Sequence, residues 1–511
     1  LPQDTVSTST FARWAGYLAM CVGMFMAILD IQIVATSLPD IQAGLAIPLE
    51  RLSWVQTAYL IAEIIAIPLT GWLTRLLSLR VLFLAALVGF CVASAGCAAS
   101  GGFATLILFR AFQGFCGGIL IPTVFTAVFT LFPLRLHPRA TAIAGVLAML
   151  APTLGPALGG YITESYSWHW LFLINIGPGI LAAIVALLAL KTERPDCAAR
   201  QRLDVVSLVL LSLALASFEI GLKEAPADGW LAPPALGPLA LAVVAGSFCI
   251  RRCLARPYPL VDFRLLREPP FAAASFYSFV LGAGLYGSVY LLPLFLGYVR
   301  QHSALETGII MVVGGAAQLV IAPIAAYLEK CVAPWRLAGL GYALFGAGLL
   351  SNGFMTYESD FAALFWPQIM RGVGVMLCLL PTTAVALECR AGEALADASA
   401  LFNLMRNLGG AVCIALIDTL VETRAPVHAA TLAARLQAGD REAALIVGLP
   451  PERFHGVPLP PVDEATKELV RPLIERAAAV ASFNEAFILL GGFFLLSLLA
   501  LPLLRRPKPG P

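Results

Sequence analysis

Runs of about 20 apolar residues recur along nearly the whole chain, each long enough to cross a hydrocarbon layer about 30 Å thick as a helix. They fall at 14–36, 52–74, 80–100, 103–125, 139–163, 168–190, 203–222, 233–252, 270–298, 304–328, 335–355, 361–387, 396–421 and 481–504. A backbone in lipid must satisfy its own polar groups, so runs of this length predict helices. Only 13% of the 511 residues are charged, against about a quarter in soluble proteins. The reading is an all-α integral membrane protein with 14 transmembrane helices, the bilayer its first partner. The first run is full length and followed at once by another, so it is expected to stay as a span. The 11 cysteines form no C-x-x-C pair, and disulfides, zinc or any other metal site are not expected. No basic cluster with interleaved aromatics suggests nucleic acid.

An even number of spans puts both ends on one side, and the distribution of Lys and Arg says which. With the N-terminus inside, the cytoplasmic segments hold 20 of the 33 basic residues and the short external loops only Arg51, Lys223 and Arg300. Both termini are therefore expected in the cytoplasm. The long segment 422–480 reads as an external loop with helix-prone pieces at 429–444 and 463–479 around a proline-rich middle, Gly448 to Pro461.

A weak repeat divides the chain. Phe109-Arg110-Ala-Phe-Gln113-Gly114, leading to Pro122-Thr123, is echoed by Met370-Arg371-Gly-Val-Gly374, leading to Pro381-Thr382. Two six-helix bundles follow, 1–190 and 259–511, the second including the loop 422–480, with two additional spans and their linkers inserted at 191–258. A substrate site between such halves is the usual transporter plan.

Ionisable residues inside a bilayer cost about 2.5–3.5 kcal/mol each on insertion scales, so each asks for a reason. Asp30 and Arg110 both fall about 10 Å below the external end of their spans, at a shared depth where they can pair. Glu63 lies about 16 Å down its span with no cation at its depth in the first bundle. A cation within about 4–6 Å competes with a proton for a carboxylate. Glu63 is therefore the expected proton carrier, with Asp30 exchanging between Arg110 and a proton or cationic substrate. Arg371 and Arg406 reach mid-depth in the second bundle, as cavity charges or as side chains reaching toward the cytoplasm. With Gln32, Gln113, Tyr286, Tyr290, Gln318 and Asn403 they are candidates to line a substrate cavity. Glu219 and Asp418 lie near external ends, where an ordinary, non-functional role is expected.

The fifth run carries Gly145, Pro152, Gly155, Pro156, Gly159 and Gly160. Internal prolines bend a helix, and Gly155 and Gly159, one turn apart, let a second helix approach closely. This string, followed by YITESYSWHWLFLINIGPG, resembles the fifth-helix antiporter motif of the major facilitator superfamily, closest to the fourteen-span EmrB/QacA-like drug:proton antiporters. The surroundings of Asp30 resemble that family's first-helix motif, and Arg110 with Gln113 and Gly114 its fourth-helix motif, associated there with proton coupling. The resemblance departs at Gly71-Trp-Leu73-Thr-Arg75-Leu-Leu-Ser-Leu-Arg80, where Arg75 stands for the family's aspartate. It implies the major facilitator fold and a proton-coupled exporter of amphipathic or hydrophobic small molecules, driven by the proton gradient without a cofactor, in the bacterial inner membrane. It also implies a periplasmic adaptor protein and outer-membrane duct as possible partners of the long loop. No nucleotide-binding G-x-x-x-x-G-K-[ST] loop offers another energy source. The alternatives are an exporter dedicated to one metabolite such as a siderophore or antibiotic, a membrane-embedded lipid enzyme and a passive channel. The last two lack a catalytic cluster and a pore-lining filter, respectively.

Overall fold

The computed structural model describes residues 10–52, 54–190, 204–256, 259–387, 393–454 and 464–504. The basic linker with Lys191, Arg194, Arg200 and Arg202, Arg390, the chain ends with Arg505, Arg506 and Lys508, and part of the proline-rich stretch lie outside these residues.

Fourteen long helices occupy the fourteen apolar runs. In the first half they are α1 (Thr10–Thr36), α2 (Trp54–Leu77), α3 (Leu79–Ala98), α4 (Phe103–Leu131), α5 (His137–Ser165) and α6 (Ile176–Ala189). The next two are α7 (Val205–Asp228) and α8 (Pro233–Ala255). Then come α9 (Pro269–Leu294), α10 (Ala304–Cys331), α11 (Pro334–Asn352), α12 (Phe361–Leu387), α13 (Glu393–Gln437) and α14 (Glu464–Ser497). The chain marks their starts locally. Prolines open α8, α9 and α11, where a missing N–H costs nothing. Ser303 and Glu306 close a reciprocal capping box on α10. Asp204 caps α7 and also takes Arg252 of α8, at 2.8 and 2.9 Å, tying the two inserted helices together. Arg264, in the turn entering α9, donates to the carbonyls of Leu254 and Arg256 at the end of α8.

Two expectations change. Among the described residues, 12 helices are long and apolar enough to cross a membrane, or 13 if the bent α5 counts as one span. The helix short of the expected 14 is α11. It forms, but Gly339, Gly341, Gly346 and Gly348 with terminal Arg336 and Asn352 dilute its apolar character. Those glycines serve packing: a Cβ at Gly341 would fall 2.6 Å from the backbone of α12, and one at Gly348 2.9 Å from the carbonyl of Pro367. In the described parts of 422–480, helices from both flanking spans run far into the segment. Helix α13 runs unbroken for 45 residues and α14 for 34, so both carry their spans past the expected membrane boundary. A short helix at Arg441–Val447 joins them, and Leu432, Leu436, Val447, Phe454 and Ala478 form a small core of their own.

Helices α1–α6 close around apolar side chains from Tyr17 to Leu190, with the Tyr17 hydroxyl donating to the Ala140 carbonyl at 2.8 Å. Helices α9–α14 close around a second cluster, threaded by hydrogen bonds from Tyr277 to Ser497 and from Tyr342 to Tyr277, each 2.6 Å. Large apolar side chains left outside, including Val92, Leu188, Val243, Val320 and Leu496, coat the outer faces of the helices as lipid requires.

The sequences meet across the molecule mainly where α5 lies on α10. A Cβ at Gly308 of α10 would strike the Pro156 carbonyl, so the two backbones nearly touch. On the other flank α7 packs against both α2 and α13.

Candidate functional site

Six residues from α1, α3, α4 and the start of α6 meet in a buried polar knot. Asp30 and Arg110 are both fully buried and form an ion pair through Arg110 Nη1 and Asp30 Oδ2. The other carboxylate oxygen accepts from Gln113 Nε2 and Asn175 Nδ2, each at 2.9 Å. Arg110 Nη1 also donates to Gln113 Oε1 at 2.8 Å, and its Nε to the Val55 carbonyl of α2 at 3.0 Å. Gln113 reaches on to Ser94 Oγ of α3, at 2.9 Å, and accepts from Cys97 Sγ. A buried ion pair survives only when its remaining lone pairs and protons are also satisfied. Here three donors serve the carboxylate, while Arg110 Nη2 keeps no hydrogen-bond partner among the described residues.

Asn175 is the member that sequence reading passed over. Its signal was an amide inside the apolar string Leu171-Phe-Leu-Ile-Asn175-Ile, where the turn Trp170–Leu173 runs on into α6 and Asn175 donates to Asp30.

Arg110 also faces a second acid. Its guanidinium carbon stands 4.5 Å above the ring of Tyr59, and its charge reaches Glu63, one turn along α2. Arg110, across Tyr59, is therefore a cation in the neighbourhood of Glu63 that the sequence did not place there, though no ion pair or hydrogen bond joins the two among the described residues. Glu63 itself is 4% exposed, and its Oε2 has no hydrogen-bond partner among the described residues. The crossing is permitted by Gly114 and Gly118 of α4, which press on the backbone of Tyr59 and Glu63.

The second half repeats the arginine without the acid. Arg371 of α12 donates to Gln368 Oε1 at 2.9 Å and to Ser288 Oγ of α9 at 2.5 Å, and pairs with no carboxylate among the described residues. Its partner on α9 is thus a hydroxyl, where Arg110's partner on α1 is a carboxylate. Arg371 is 7% exposed, which removes the reading of a side chain reaching out to water.

The remaining cavity candidates spread over the same boundary. Tyr286 donates to Asn407 Oδ1 at 3.1 Å, and Tyr290 to Asp418 Oδ1 at 2.6 Å. Asp418 is therefore tied into the protein rather than simply solvated. Arg406 lies over the Phe402 ring at 5.4 Å, its Nε without a partner. Asn403 donates to Ser399 within its own helix, and Gln318 is half-buried on α10. Gln32 of α1 sits directly against Gly155 of α5, where a Cβ would strike it.

The glycine–proline string behaves unevenly. Ile143–Pro152 and Leu154–Ser165 meet at 44°, a bend that follows the internal prolines. Gly155 meets α1 and Pro156 meets α10, so α5 is pinched between the halves. The Gly159 carbonyl accepts from Ser37 Oγ at 3.4 Å, and Thr163 Oγ1 donates to Ser37 Oγ at 2.8 Å, while Gly160 is buried. Gly145 differs: a Cβ there meets nothing within 4 Å, so close packing does not explain it.

A helical membrane protein with two clusters of six helices, a charged knot inside one and an arginine echo in the other defines a transporter class. The family model described as Major Facilitator Superfamily matches residues 20–413, and the chain belongs to that family. It is similar to the colistin resistance protein EmrB of Acinetobacter baumannii, 39% identical over 416 residues covering 81% of each chain. It is also similar to the multidrug export protein EmrB of Escherichia coli K12, at 29% over 496 residues, or 96% of this chain and 95% of the other. A bacterial homolog of the human lysosomal transporter Spinster, solved in an inward-facing, unoccupied conformation, shares the fold with TM-score 0.60 at 12% identity, covering 98% of this chain and 100% of that one.

Proposed function

We propose that the protein is a multidrug exporter that moves amphipathic or hydrophobic small molecules out of the cytoplasm in exchange for protons. In this reading it sits in the bacterial inner membrane with both termini inside, and residues 1–190 and 259–511 rock about a central site. The observation that carries the reading is Arg110 placed between two buried carboxylates, bonded to Asp30 and within electrostatic reach of Glu63. The names of the similar EmrB proteins support the drug-export part of it.

The chemistry follows from the contacts. While Asp30 is ionised, Arg110, Gln113 and Asn175 hold α1, α4 and the start of α6 together through one carboxylate. A proton on Asp30 cancels the ion pair and frees that junction to move. Arg110 keeps the Val55 carbonyl, Gln113 and the Tyr59 face as partners and turns its charge toward Glu63. Glu63 holds a proton through much of the cycle and releases it as substrate arrives. The two acids thus compete for one guanidinium, which couples proton movement to the packing of α1, α2 and α4. The helical extension of α13 and α14 is the docking surface for a periplasmic adaptor feeding an outer-membrane duct.

Proteoliposomes with an imposed pH gradient test the proposal. A lipophilic cation such as tetraphenylphosphonium should move against its gradient while the interior is acidic in inside-out vesicles. Movement unaffected by collapsing the pH gradient would overturn proton coupling.

A further inference from the structure

The two helices inserted between the halves have no part in the mechanism above, yet α7 is built into the boundary between them. Ile64 of α2 belongs to the same buried apolar cluster as Leu211 and Leu215 of α7. On the other side, Trp230, just past the end of α7, donates from Nε1 to Thr419 Oγ1 of α13 at 3.2 Å. α7 therefore bridges a helix of the first half and a helix of the second.

On this bridge lies Glu219. It is 6% exposed, and its Oε1 has no hydrogen-bond partner among the described residues. Glu219 is nine residues from the Asp228 end of α7, and Glu63 is nine residues from the Trp54 end of α2. At 1.5 Å per residue each lies about 14 Å inside the outer end of its helix. Tyr286 of α9 stands within electrostatic reach of Glu63, Glu219 and Arg406 together. Other charged groups near α7 are engaged elsewhere: Lys223, one turn outward on the same helix, acts on Asp418 of α13, which also feels Glu422. Arg251 and Arg252 of α8 sit at the opposite end of the helix pair. Glu219 forms no ion pair among the described residues.

Near an external end an ordinary role is expected for this glutamate, and it is instead buried inside the protein. A buried ionised carboxylate with one oxygen lacking any donor and no ion-pair partner is costly, and a proton removes the charge. The property that singles out Glu63 in the sequence, a buried acid with no cation, belongs more fully to Glu219. We propose that Glu219 is a second proton-binding carboxylate of the transport path, with α7 forming one wall of that path. This rests on the proton-coupled reading and adds to it a residue and a second exchangeable proton, one on Glu63 and one on Glu219.

The test uses the full chain in detergent. N,N′-dicyclohexylcarbodiimide reacts with protonated carboxyls in apolar surroundings, and peptide mass spectrometry reads where it attaches. The expected result is labelling at Glu219 that declines as pH rises and is blocked by saturating tetraphenylphosphonium. In parallel, protons released on adding tetraphenylphosphonium should fall to about half in Glu219→Gln and be largely restored in Glu219→Asp. No labelling of Glu219 while Glu63 is labelled overturns the proposal without help from any variant. Wild-type release with unchanged release from Glu219→Gln overturns it while leaving the exporter reading intact. If the wild type releases no protons, proton coupling fails, and this proposal fails with it.

Discussion

Asp30 and Glu63 differ in their company, and that difference separates their substitutions. Asp30→Asn keeps the shape of the knot but leaves Arg110 buried without its counter-charge, a change of the kind that costs about 3–5 kcal/mol. Lower thermal stability together with loss of both substrate binding and coupling is expected, read by thermal shift and by transport in proteoliposomes. Glu63→Gln removes a carboxylate that no donor holds at Oε2, so folding and substrate binding should survive while uptake stops following the pH gradient. If Glu63→Gln still releases protons like the wild type and Asp30→Asn does not, Asp30 is the carrier. Two further positions test the scaffold. Ser78, the sole link between α2 and α3, sits at φ 70° and ψ 154°, a region that is essentially glycine's and costs other residues about 1–3 kcal/mol. Ser78→Gly should raise the thermal midpoint in detergent, the gain trimmed by glycine's own entropy loss of about 0.5–1 kcal/mol. At Asp204, the hydrogen bonds from Arg252 hold the carboxyl down at about 2. Because the folded value lies below the ordinary one, the stabilisation is complete above pH 4 and fades as pH falls toward 2. Arg252→Ala should therefore lower the midpoint at pH 7 and much less near pH 2–3.

Among elements, α5 shows how far a motif can be read without coordinates. Two prolines within five residues dictate a bend, and glycines one turn apart dictate a close neighbour, but neither says which neighbour. The structure divides the string: Gly155 against Gln32, Pro156 against Gly308, Gly145 against nothing. Gly155→Leu should abolish transport by wedging α5 off α1, an intrusion that typically costs about 1–3 kcal/mol. Gly145→Leu should leave the protein expressed and active, and loss of expression there would point to packing outside the chain itself. The existence and order of the helices were legible because lipid demands long apolar runs. The pairing of Asp30 with Arg110 was legible because helical rise fixes depth. Rotation about each helix axis was not, since apolar residues surround these helices on every side. That is why the burial of Glu219 was not foreseen, why Asn175 passed unnoticed, and why Glu63 looked free of Arg110. In segment 422–480 the helix-prone pieces were legible, but the apolar core that packs them together, from Leu432 to Ala478, is spread over three separate described pieces.

For the whole molecule, the 45 residues of α13 span about 68 Å, more than twice the hydrocarbon thickness. The same helix packs on α9 within the second half, touches α2 of the first, and ends in the small core formed with Arg441–Val447 and α14. Arg424 holds Glu485 with two hydrogen bonds, at 2.8 and 2.9 Å, which joins the α13 and α14 arms near their base. Replacing 441–454 with a flexible linker should spare transport by the purified protein and lower efflux in cells if an adaptor docks there, as measured by drug accumulation. Equal efflux from cells with and without the tip would leave it without a docking role. A shaft clamped at its base behaves as a lever. A small tilt of the second half near Arg406 becomes a sweep several times larger at Gln437, so the outermost part of the protein would act as a pointer whose position reports which way the transport site faces.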